Sequence, residues 1–310
     1  MKRIAALFLS LLLLTGCGAP RKEAAGGVTF TDDLGRQITV DSPQRVAALL
    51  GSFADIWHLS GGTLCAAAED AWEDFGLGLD DAVNIGGAHS PSLELLLSAD
   101  PDFVLASTST ASNLAFRDAL EAAGIAVAYF DVDHFGDYLH MLDICTDITG
   151  RKDLYEENGL QIQEQIAQIK KNYADENIPE EQRKVLLIRA AASVIKAKGS
   201  TGTILGEMLA DMGCINIADS DQTLLDNLSV ESVIAQQPYH IFVVTMGSNP
   251  QAAKGALEAM LVENPAWSTL DAVQAGRLHY MEKSLFNLKP NAKWAQSYQK
   301  LYETLVEQTN

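Results

Sequence analysis

The sequence predicts an α/β protein of two lobes, each with a parallel-rich sheet, joined by one long helical strut. Three observations carry this. On either side of residues 137–176 lie segments of similar length in which short apolar runs alternate with helix-periodic ones, the pattern of parallel strands joined by helical crossovers. Within 137–176, Tyr155, Gly159, Ile162, Ile166, Ile169 and Tyr173 step by four, three, four, three and four residues, which is one face of a helix. Thirdly, Ser92–Val104 is echoed by Ser229–Ile241, with serine, glutamate and proline recurring at one offset. A chain of 310 residues also exceeds the size, about 250–300 residues, at which single cores stop growing.

Lys2 and Arg3 precede an apolar run from Ile4 to Leu14 broken only by Ser10. It is too short for a hydrocarbon core that needs about 20 helical residues, so it reads as an export signal. Leu14-Thr15-Gly16-Cys17 is similar to the lipobox of bacterial lipoproteins. That resemblance implies a signal peptide over 1–17, lipid on Cys17, and a cell-membrane anchor on the extracytoplasmic side. Residues 18–27 are small and polar, a flexible tether.

An N-terminal lobe is expected over 28–136. Val28–Val40 is two alternating runs split by Asp32-Asp33-Leu34-Gly35, a hairpin signal. Strands follow at Arg45–Leu50, Leu64–Ala68, Phe103–Ala106 and Ile125–Phe130. Helices fall on Phe53, Ile56 and Trp57, on Leu93–Ser98 and on Asn113–Ala123. The connecting helical segment is 137–176. Its periodic part, Leu154 to Tyr173, spans roughly 30 Å at about 1.5 Å per residue. The C-terminal lobe, 177–310, resumes with strands at Lys184–Ile188, Ile241–Thr245 and Leu278–Met281. Its helices are Ile204–Met212, Glu231–Ala235 and Asn291–Glu307.

Charge excludes some partners. Removing Lys2 and Arg3 with the signal leaves 20 basic residues against 41 acidic ones, a net −21. That argues against nucleic acid and against charge-driven binding to an anionic lipid surface. Cys65, Cys145 and Cys214 are odd in number and widely spaced, and no CxxC is present. They read as buried thiols rather than a disulfide framework or zinc site. His58, His89, His134, His140, His240 and His279 form no HxxxH, so neither a protein-held metal nor a cofactor is expected.

In the echoed segments, Ser92 and Ser229 each cap a short helix, and Glu94 and Glu231 sit in the first turn, where the dipole favours an anion. Two exposed carboxylates result, one at the outer end of each lobe. The lipobox, FTDDLGRQITVDSPQRVAAL, SLELLLSADPDFVLA, the segment after Asp137, MLADMGCINIAD, SVESVIAQQPYHIFVV and NPAWSTLDAVQAGRLHYM together resemble the class III substrate-binding proteins of ABC importers. The resemblance spans essentially all the mature chain. It implies two Rossmann-like lobes joined by one long rigid α-helix with a ligand cleft between them, and a ferric siderophore, cobalamin or haem as small-molecule ligand. It also implies docking of Glu94 and Glu231 on an ABC permease dimer. A monomer is expected. Two departures stand out: Cys214 in MGCIN where a second glycine is common, and Lys289-Pro290-Asn291 in place of proline-glycine.

Parallel α/β lobes bind ligands on loops after strand carboxyl ends. The candidates are Ser52, Phe53, Asp70, Trp72, His89 and Ser107–Ser109 in the first lobe. In the second they are Arg189, Ser193, Met246 and the stretch from Tyr280 to Phe286. Trp72 and Phe286 supply flat apolar walls, and Arg189 suits an anionic group. A surface α/β hydrolase or chelate-processing enzyme is the rival from another class. No GxSxG, GxxxxGK, GxGxxG or HExxH is present, although a triad need not be local in sequence. Gly199-Ser200-Thr201-Gly202 lacks a following lysine and reads as a plain turn. A structural lipoprotein with an empty cleft would show no ligand-dependent rise in melting temperature.

Overall fold

The computed structural model describes residues 27–247 and 249–306. An antiparallel hairpin, β1 (Val28–Thr31) and β2 (Gln37–Val40), leads into strands β3 (Val46–Ala48), β4 (Leu64–Ala67), β5 (Val83–Asn84), β6 (Phe103–Ser107) and β7 (Ala126–Phe130). These five form a parallel sheet in the order β5-β4-β3-β6-β7. The hairpin covers the β7 edge, where Asp33 N donates to Tyr129 O at 2.9 Å and Arg36 donates to Val127 O at 2.8 Å. An edge so covered offers no free pairing groups.

The second lobe contributes β8 (Lys184–Ala190), β9 (Ile195–Lys198), β10 (Ile215–Asn216), β11 (His240–Thr245) and β12 (Leu278–Met281). Its sheet runs β10-β8-β11-β12 in parallel, and β9 pairs antiparallel with β8. The strands β5, β9 and β10 and the helix Pro250–Glu263 go beyond the sequence reading.

The two-residue period of the strands divides the core. Phe103 and Leu105 of β6, and Val185 and Leu187 of β8, face one central cluster. Val104 and Ala106 turn to an outer cluster in the first lobe, and Leu186, Ile188 and Ala190 to one in the second. The central cluster runs unbroken from Val40 to Leu305 and takes in Ile162, Ile166, Ile169 and Tyr173, the face that periodicity predicts.

The connector is not one helix over 137–176. Phe135–Thr149 ends at Gly150, whose φ of 70° is left-handed, the usual glycine stop. That helix packs on Gly51–Leu59 and belongs to the first lobe. The strut begins at Lys152, passes a π-turn at Glu156–Leu160 and continues as Gln161–Asp175, spanning roughly 36 Å at about 1.5 Å per residue. Gly159 lies in the π-turn because a Cβ there would come within 3.0 Å of Leu139 Cδ2. The closing helix Trp294–Val306 packs along the strut.

Candidate functional site: the cleft between the lobes

Loops after strand carboxyl ends of both lobes meet at the waist. From the first lobe come the turn after β3 (Gly51, Ser52), the turn after β4 (Asp70–Asp74) and Asp133 after β7. A Cβ on Gly51 would lie 2.5 Å from the backbone of Asp70 and Ala71, so only glycine lets the first two approach. From the second lobe come Arg189, near the end of β8, and the segment 283–291 after β12. Lys283 Nζ pairs with Asp74 Oδ1 at 2.7 Å. The buried Asn291 amide donates to Ser52 O at 2.9 Å and to Asp55 Oδ2 at 2.8 Å. Its φ of 52° explains the departure at Lys289-Pro290-Asn291: the turn needs a left-handed residue, and asparagine is among the few besides glycine that adopt it.

The cleft floor is cationic. In the β8–β9 ladder Leu187 faces Lys198 and Arg189 faces Lys196, so the three basic side chains share one sheet face. Arg189 and Lys198 line a small pocket with Thr203, Phe286 and Asn287. The ammonium of Lys289 lies 6.0 Å from the Phe53 ring centroid. Burial pulls Arg189, Lys198 and Lys289 below their ordinary pKa values, and at Lys198 the charges of Arg189 and Lys196 add to it. The facing carboxylate is Asp133, whose own pKa burial pushes up.

Ser52, Phe53, Arg189 and Phe286 are brought to this waist. Met246, just beyond β11, joins them, its N donating to Ala190 O at the end of β8 at 2.8 Å. Phe53, Ser107 and Phe286 are buried: Phe53 packs edge-on against Phe130, Ser107 N and Oγ bond to Asn113 and Ser109, and Phe286 lies in the pocket beneath Arg189. Phe53 and Ser107 support the cleft from below, and Phe286 reaches its surface only in that small pocket. Trp72 is half-buried on the core and His89 is exposed after β5. Tyr280 departs from expectation. Its partner Val243 faces the outer cluster while Arg189's partner Val244 faces the central one. Tyr280 therefore sits on the opposite sheet face, with the Lys254 ammonium 4.8 Å from its ring.

Lys198, Lys289, Asn291 and Asp133 escaped the sequence reading. The unusual Lys289-Pro290-Asn291 was the available signal for two of them. The turn at Gly199–Gly202 is filled by the protein's own acids: Asp219 accepts from Ser200 N at 2.7 Å and Ser200 Oγ at 2.6 Å, and Glu207 from Gly202 N at 3.2 Å. The two carboxylates take up these donors and oppose an incoming phosphate.

Glu94 and Glu231 are exposed in the first turns of Leu93–Ser98 and Val230–Gln236. Ser92 accepts from Leu95 N at 3.2 Å and Ser229 from Ser232 N at 3.3 Å, as the echo predicts. Each helix runs antiparallel to the strand it precedes, and Ser92 N bonds Ile85 O just beyond β5. The glutamates thus lie towards the carboxyl ends of their sheets, on the cleft side, rather than at the outer end of each lobe. Cys17, the signal 1–17 and tether residues 18–26 lie outside the described residues. Among the described residues no helix is long and apolar enough to cross a membrane.

Known proteins share this arrangement. The chain is 22% identical over 307 residues to the candidate ABC transporter substrate-binding lipoprotein YhfQ of Bacillus subtilis strain 168, covering 91% of this chain and 92% of that protein. It is also 22% identical over 287 residues to the Fe(3+)-citrate-binding protein YfmC of the same strain, covering 88% and 86%. Staphylococcus aureus SirA, in complex with staphyloferrin B, superposes with a TM-score of 0.68 at 20% identity over 91% of this chain and 98% of SirA. The model of the periplasmic binding protein family matches residues 46–285, and the chain belongs to that family: it is a solute-binding protein and not an enzyme.

Proposed function

We propose that this chain is the lipid-anchored receptor of an ABC importer, which captures a ferric siderophore-type chelate outside the membrane and delivers it to a permease dimer. The observation that carries the reading is the waist, where carboxyl ends of two parallel sheets oppose each other in front of a strut that limits lobe travel. The iron-citrate binding for which YfmC is named and the lipoprotein character for which YhfQ is named support an iron chelate and a lipid anchor. In this reading Glu94 and Glu231, exposed on the cleft side of their sheets, seat the loaded receptor on basic pockets of the permease, where charge complementarity fixes register. The lipid on Cys17 holds it at the surface.

Tryptophan quenching with ferric siderophores, haemin and cobalamins, on the mature chain and on Trp72→Phe, tests the ligand. Recovery of the ligand unchanged is the expected result, and turnover would refute the receptor role. Glu94→Lys combined with Glu231→Lys should leave affinity intact and abolish uptake. Loss of affinity equal to the loss of uptake would sink the docking assignment.

A further inference from the structure

The distribution of unpaired cations narrows the ligand. Most basic side chains in this acidic protein are neutralised: Arg36, Lys152, Lys170, Lys184, Lys254, Lys283 and Lys300 each meet a carboxylate. Arg45, Arg183 and Arg277 donate to backbone carbonyls. Among the described residues, the charged groups left with neither are Lys171 on the wet face of the strut and five at the waist: Arg189, Lys196, Lys198, Lys289 and Lys293. With 41 acidic side chains against 22 basic ones, surplus carboxylates are plentiful, yet among the described residues none forms an ion pair with these five. Lys196 and Lys293 are exposed, but Arg189, Lys198 and Lys289 are partly buried, and buried charges are costly unless paired. The partner of this cluster therefore arrives with the ligand.

We propose that the ligand presents ionised carboxylates, and that Arg189, Lys198 and Lys289 are the residues that select it. This rests on the receptor reading above. Arg189 offers a planar fork matched to a carboxylate, and Lys198, two positions along the paired strand on the same face, offers a second charge. Lys289 approaches from beyond β12. Asp133, facing Arg189 and Lys289, opposes an incoming anion and sets a threshold that a weakly charged solute does not cross. A ferric hydroxycarboxylate chelate and the propionates of haem share this chemistry. An uncharged hydroxamate chelate or a cobalamin lacks it.

The test is titration of the mature chain with ferric citrate, haemin, a neutral ferric trihydroxamate and cyanocobalamin, followed by tryptophan quenching and thermal shift. At least one carboxylate-bearing probe should bind tenfold or more tighter than both neutral ones, a difference of about 1.4 kcal/mol or more. Which one binds separates iron chelate from porphyrin. Arg189→Gln and Lys198→Gln should each lose about tenfold in affinity, again about 1.4 kcal/mol, with a melting temperature in the absence of probe that is equal to or above the parent's. Asp133→Asn should tighten binding, and the remote Lys171→Gln should change nothing. Affinity should fall with salt as the Debye length, about 10 Å at 0.1 M, shortens. Equal binding of a neutral probe, or unchanged affinity in Arg189→Gln and Lys198→Gln, overturns the carboxylate selection while leaving a receptor. Failure of every probe to bind overturns the receptor reading and this inference with it.

Discussion

Asn291 ties the lobes, and its replacement measures what that tie contributes. Asn291→Gly keeps the left-handed backbone but removes both side-chain bonds. The bond to the partly buried Asp55 carboxylate, 2.8 Å long, contributes about 1.5–3 kcal/mol, and that to the Ser52 carbonyl, 2.9 Å, about 0.5–1.5 kcal/mol. The expected loss is about 2–4 kcal/mol, towards the lower end because the Asn291 Oδ1, buried without a partner, disappears too. Asn291→Ala loses the same bonds and adds about 1–2 kcal/mol of left-handed strain. Urea denaturation of the three proteins, compared at constant m-value, gives both terms. Alanine no worse than glycine would refute the strain argument. Two variants within about 0.5 kcal/mol of the parent, the usual spread for an inert surface site, would refute the tie itself.

A second expectation concerns pH. His240 is buried and 3.0 Å from His279. Burial first, then the His279 and Arg277 charges, lowers its pKa to about 3, while the unfolded histidine stays near 6.5. The unfolded chain binds the proton first, so stability is full above pH 6.5 and falls by about 1.4 kcal/mol per unit below it. The window runs from 6.5 to about 5. Lower down, Asp33, Asp55, Asp70 and Asp133, all raised by burial, act in the opposite sense. Urea stability at pH 7 should exceed that at pH 5 by about 2 kcal/mol or more in the parent, and by less in His240→Phe, where His279, also lowered by burial, still titrates; equal slopes would exclude His240 as a source. Gly150→Ala should cost about 1–2 kcal/mol for its left-handed φ. Circular dichroism melts of that variant check this, and an unchanged melt would mean that the break between the two helices can shift.

The fold was legible because its signals are local and repeated. Ile162, Ile166, Ile169 and Tyr173 show the strut face, and Ser92 and Ser229 mark two caps. The fusion of 137–149 with the strut missed Gly150, whose stop depends on a backbone angle. The helix Pro250–Glu263 was overlooked although Asn249 caps it and Pro250 opens it, both recognised start signals. The cleft was legible only by rule. Strand ends pointed to Ser52, Arg189 and Phe286, but which side chains are exposed follows from packing. Tyr280 misled because one residue of register moves a side chain to the other face. Lys198 was invisible without β9, and Lys289 and Asn291 gain their meaning from contacts far along the chain.

Because the oily seam under the strut continues from Val40 to Leu305, neither half is a self-sufficient body. Severing the chain at the waist would leave two raw faces, each in need of the other, and heating should melt the whole as one event. A wide jaw-like swing would bare that seam to water. Recognition in this protein is consequently a matter of fit within a nearly fixed frame.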